Sequence, residues 1–165
     1  MSKRIGKFAN VSKREQALSL VDGGSVTGTL TSTGAATFSS TVNCDVGIQN
    51  AAVARTATAD GTTTGTIADG TSHVTVTSGG VNTIIILPTP TPGNIVYLSE
   101  AGTTGYEIRS STPASIAING GTASNGESAV DGAVTYVKCV CVSATSWIVS
   151  QYVADGTESA VTAAA

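Results

Sequence analysis

The side chains able to do covalent or metal chemistry are few in this chain. His73 is the single histidine, and Cys44, Cys139 and Cys141 are the only thiols. A Ser–His or Cys–His nucleophile pair would have to use His73. That residue opens an alternating segment, and the chain has no Gly-x-Ser-x-Gly elbow for it to serve. A zinc site on Cys139-x-Cys141 would need two further soft ligands, with only Cys44 and His73 left to supply them. Two residues apart on a strand, Cys139 and Cys141 share a face with Cα atoms about 6.5–7 Å apart, at the limit of disulfide reach. Three free thiols fit synthesis in a reducing cytoplasm. Ala-Asp-Gly-Thr recurs three times, at 59–62, 68–71 and 154–157. No Asp-x-Asp-x-Asp-Gly cluster accompanies it, so the repeat reads as a turn former and not as a calcium loop. We therefore expect no catalysis, no cofactor and no metal.

Charge is the next informative feature. Five of the eight basic residues, Lys3, Arg4, Lys7, Lys13 and Arg14, fall in the first fourteen positions. The remainder holds three basic residues against all eleven acidic ones, a balance of −8. A basic arm on an acidic body points to docking on an acidic surface. Ile5, Phe8 and Val11 lie among the cations at spacing three, so part of that contact would be apolar burial. Phe8 is the one ring there, too little stacking surface for nucleic acid, and none is expected as a partner. No apolar run is long enough for a membrane span or a secretory signal, the longest being Ile84–Leu87. No membrane partner is expected either.

The elements that must carry these residues follow from composition. The chain has 26 Thr, 19 Ser and 19 Gly, 64 of 165 residues, and only 12% charged residues. That excludes a helix-rich fold and fits an all-β one. Residues 1–24 read as a basic arm, with a Ser12-x-x-Glu15 capping box allowing a short helix. Residues 25–66 read as an extended Thr/Ser/Gly-rich segment, and its apolar residues are too sparse to close a core alone. Residues 67–155 carry seven candidate strands: 73–77, 83–87, 95–98, 106–109, 115–119, 133–142 and 147–153. Their spacing predicts an antiparallel β-sandwich or jelly-roll-like domain, and 156–165 a tail. The last two strands look apolar on both faces. Alternation assigns Trp147 to the core, and with only seven aromatic residues a carbohydrate-binding face is not expected. A core of this size is modest, so a homo-oligomer, a trimer, is expected to supplement it.

The segment Val26 to Val42, VTGTLTSTGAATFSSTV, resembles the Thr/Ser/Gly repeats of bacteriophage fibre and capsid-decoration proteins. Leu87-Pro88, Pro92-Gly93-Asn94, a hairpin at Ile118-Asn119-Gly120-Gly121 and the closing Trp147-Ile148-Val149 extend the resemblance to small β-domains of phage fibres and head-decoration proteins. The resemblance implies a virion structural protein and no enzyme: a decoration, or cement, protein on the outer capsid surface, made in the host cytoplasm and bridging capsomers. Its partners would be the major capsid protein and its own copies. The docking residues expected are Lys3, Arg4, Ile5, Lys7, Phe8, Lys13 and Arg14. The alternative it leaves open is a head or tail fibre or adhesin subunit with a receptor-binding β-domain.

Overall fold

The computed structural model describes residues 33–34, 51–102, 104–121, 127–132, 134–159 and 161–163. The chain divides into two compact units, Met1–Asp45 and Val46–Ala165, and all described residues but 33–34 belong to the second. The docking residues Lys3, Arg4, Ile5, Lys7, Phe8, Lys13 and Arg14 and the short helix at 13–20 lie outside the described residues. So do Cys44 and the repeat at 26–32 and 35–42. Among the described residues, no helix is long and apolar enough to cross a membrane.

The second unit is all-β. Its strands are β1 (Val53–Thr56), β2 (His73–Thr77), β3 (Ile84–Ile86), β4 (Ile95–Glu100), β5 (Tyr106–Arg109) and β6 (Ala117–Ile118). There follow β7 (Glu127–Val130), β8 (Val134–Ser143), β9 (Ser146–Val153), β10 (Glu158–Ser159) and β11 (Thr162–Ala163). A seven-stranded sheet runs β1-β2-β4-β8-β9-β10, with β6 also on β9, and a four-stranded sheet runs β11-β7-β5-β3. All seven strands expected from the sequence are present.

The pairing is mixed where the sequence reading expected it antiparallel. β1–β2, β2–β4, β3–β5 and β6–β9 are parallel. The cause is the order in which the chain visits the sheets. From β2 to β5 consecutive strands alternate between the two layers, so β2–β4 and β3–β5 each join strands two apart in sequence that run the same way. Only β8–β9 forms a long hairpin, and β4–β8, β5–β7, β9–β10 and β7–β11 are the other antiparallel pairs. The hairpin expected at Ile118-Asn119-Gly120-Gly121 is not formed: β6 lies on β9 and β7 on β5, in different sheets.

Strands also lie outside the 67–155 span. In β1, Val53 and Arg55 are half-buried and Ala54 and Thr56 exposed, a pattern with too little apolar content to signal a strand without its neighbour β2. Ala57 joins the core, and the chain from Thr58 to Ile67 exchanges backbone hydrogen bonds with Ile84 and Ile86, covering the β3 edge. At the other end of the chain, β10 and β11 cover β9 and β7. Edge strands so covered present fewer open backbone groups to other chains.

One apolar cluster fills the space between the sheets. Val74, Val76, Val96, Leu98, Val137, Cys139, Cys141, Trp147 and Val149 enter it from the larger sheet, and Ile85, Tyr106, Ile108 and Val130 from the smaller. Trp147 is fully buried, as its alternation with exposed Ile148 requires. β8 and β9 carry apolar residues on both faces, yet only one face is covered. Val142 is left 53% exposed and Ile148 42%.

Candidate functional site

Strand register decides what the uncovered face of the larger sheet displays. Residues directly opposite on neighbouring strands point the same way, so partners can be followed across the sheet as rows. One row is Ile95, Val140, Ile148; the next is His73, Tyr97, Lys138, Ser150. The third is Thr75, Ser99, Tyr136, Tyr152, Glu158. Three of the four tyrosines and the only histidine thus share one outer face, beside aliphatic and hydroxyl side chains. The fourth, Tyr106, is buried in the core, and its hydroxyl has no hydrogen-bond partner among the described residues. Burial, with Cys139 and Glu100 beside it, pushes its ionisation well above the ordinary tyrosine value.

The outer rings are paired. His73 stacks on Tyr97 with centroids 5.1 Å apart and planes 29° from parallel. Tyr136 stacks on Tyr152 at 4.6 Å and 10°. His73 Nδ1 lies 3.2 Å from Ser72 Oγ, which steadies the imidazole. A concavity of about 400 Å³ opens beside these rings, lined by Ala52, His73, Val74, Tyr97, Leu98, Ser99 and Tyr136. Its size is that of a small-molecule site.

No family model, curated protein or solved structure matches this chain. What the face does must therefore be read from its own chemistry.

The other residues singled out in the sequence have structural places. Cys139 and Cys141 do lie on one face, inside the core, and both are free thiols. Burial pushes both thiols above their ordinary value, so neither supplies a thiolate near neutral pH. The three Asp-Gly pairs all make turns, with Gly61, Gly70 and Gly156 at φ of 75°, 81° and 83°. Asp60 Oδ1 accepts hydrogen bonds from the Thr62 backbone N–H and from the Thr62 and Thr58 hydroxyls. Asp69 accepts one from the Thr89 N–H, and Asp155 one from the Thr157 N–H. Those donors hold the Asp60 and Asp155 carboxyls below their ordinary value. Among the described residues no group of three or more His, Cys, Asp or Glu side chains could hold a metal ion.

The tyrosine face was not anticipated from the sequence, which registered few aromatics and a core Trp147. One signal was available. Tyr136 and Lys138 sit two apart in a strand whose alternate positions are Val137, Cys139 and Cys141, so the tyrosine belongs on the lysine's solvent side. That Tyr97 and Tyr152 join it depends on register across β4, β8 and β9, which a single strand does not encode.

Proposed function

We propose that this chain is a virion structural protein that decorates the outer surface of a tailed-phage head and works by contact, as a homotrimer bound to the major capsid protein. The observation that carries the reading is the separation of roles along the chain. The sandwich turns hydroxyls, tyrosine rings and branched aliphatics to solvent and keeps its thiols inside. The attractive charge sits apart, in the first fourteen residues. In this reading the arm, through Lys3, Arg4, Lys7, Lys13 and Arg14 with Ile5 and Phe8, holds the acidic body on an acidic shell. Several arms per oligomer multiply weak contacts through effective concentration.

Deleting residues 1–14 and measuring occupancy on particles that lack the protein tests this. The shortened chain should fold and lose at least about tenfold in occupancy, a loss of attraction that avidity otherwise multiplies. Binding of the intact chain should weaken with salt, because exposed charges are screened beyond about 8–10 Å at physiological ionic strength. Occupancy equal to that of the intact chain would overturn the reading. The tyrosine face favours a second one, a fibre or adhesin subunit. That reading predicts that the chain without its arm binds host cells undiminished and does not bind heads.

A further inference from the structure

We infer that the concavity lined by His73, Tyr97 and Tyr136 is a binding site for one neutral pyranose ring of a saccharide. His73 and Tyr97 are direct partners on β2 and β4 and stack on each other. Tyr136 and Tyr152, direct partners on β8 and β9, do the same. Tyr97 and Tyr136 are the inner ring of each pair and stand in neighbouring rows, Tyr97 opposite Lys138 and Tyr136 opposite Ser99. Each is stacked on its partner, and both line the concavity.

The spacing between the inner rings suits one flat guest. Tyr97 lies opposite Lys138 and Tyr136 opposite Ser99, so the two tyrosines are diagonal neighbours on β4 and β8. Such neighbours lie about 7–8 Å apart. A guest ring resting on the sheet beside Ser99 can therefore touch both tyrosines at the about 3.5–4.0 Å of carbon atoms in contact.

The chemistry of the lining selects the class of ring. A pyranose presents C–H faces to aromatic rings and hydroxyls at its rim; Tyr97, Tyr136 and Ser99, which carry hydroxyls, line the concavity, and Thr75 and Lys138 share its face of the sheet. A nucleotide would stack equally well, but its phosphates would meet a body carrying −8 outside the arm. A neutral sugar carries no such penalty. The pairs also preorganise the site: each inner ring is already held by its partner, so little rotamer freedom is lost on binding. Tyr136, 39% exposed, is accessible from solvent.

The test is saturation-transfer NMR on the full chain with methyl α-D-glucopyranoside, methyl α-D-mannopyranoside and methyl β-D-galactopyranoside. At least one should bind saturably with a Kd in the millimolar range, where single-ring contacts of this size fall. Tyr97→Ala and Tyr136→Ala should each weaken it about tenfold, the loss of one stacking face. Tyr106→Phe, in the core, should leave it unchanged. Ser99→Phe keeps every aromatic residue and places a ring in the concavity, so it should abolish binding even if a tyrosine variant folds poorly. Absence of binding by all three sugars up to about 100 mM overturns the inference. So does binding that survives both tyrosine truncations. Tyrosine resonances that move with protein concentration and not with sugar would assign the face to a second copy, and would overturn it as well.

Discussion

Asn119 shows how much a single side chain can hold. It follows the last residue of β6, has a left-handed backbone at φ 53°, and donates its N–H to the Trp147 carbonyl. Its amide then continues the strand pairing by itself. Oδ1 accepts from the Val149 N–H at 2.7 Å and Nδ2 donates to the Val149 carbonyl at 3.0 Å. Asparagine is among the few non-glycine residues that tolerate this backbone, and its amide has the same donor and acceptor as a peptide. Asn119→Ala should therefore cost about 2–4 kcal/mol, adding backbone strain to two unpaired groups beside a buried strand. Asn119→Gly should cost less, because only the hydrogen bonds are lost. Urea unfolding would measure both, and equal costs would mean that the backbone conformation contributes nothing. In the sequence this residue is legible only as part of an Asn-Gly-Gly turn. That its side chain reaches a strand thirty positions away is a matter of tertiary placement.

At the scale of elements, the connections between the two sheets deserve the closest reading, since they set the mixed topology. The link from β4 to β5 is held by one carboxylate: Glu100 Oε1 accepts from the backbone N–H groups of Thr104 and Gly105 and from the Thr104 hydroxyl. Gly105 has φ 72°, and a Cβ there would stand 2.5 Å from the Val130 carbonyl oxygen. Gly105→Ala should destabilise the fold by about 2–4 kcal/mol, since backbone must move and a left-handed alanine is strained. Gly79→Ala, in the turn after β2, meets no atom within 4 Å and should change stability by less than about 1 kcal/mol, with stabilisation the expected sign. Thermal melts of the pair would check this, and similar shifts for both would refute it. The seven strands were legible because alternation and turn residues are local signals. Their parallel pairing was not, because strands two apart in sequence give no local sign that they share a sheet. β7 was missed for a related reason: Glu127-Ser-Ala-Val130 carries one large apolar residue and pairs with β5 only once the sheets are formed.

For the molecule as a whole, our proposal makes association part of stability. Ile95, Val142 and Ile148 remain exposed on the larger sheet, and residues 25–66 are too poor in apolar groups to order alone. Sedimentation of the isolated chain should give a single species of three copies, its midpoint of unfolding rising with concentration as mass action requires. A monomer at all concentrations would remove the trimer from the proposal while leaving the sandwich intact.

The sequence by itself determined the fold class, the core placement of Trp147 and the turn role of the Asp-Gly repeats, because each rests on alternation or on backbone freedom within a few residues. Tertiary structure alone decided the mixed pairing and the incorporation of β1, β10 and β11. It also decided the meeting of His73, Tyr97, Tyr136 and Tyr152. These residues come from four strands spread over eighty positions, and only the register of β2, β4, β8 and β9 brings their rings together. Register follows from which apolar faces are buried against the opposite sheet, a condition satisfied by the assembled sandwich and by no segment on its own.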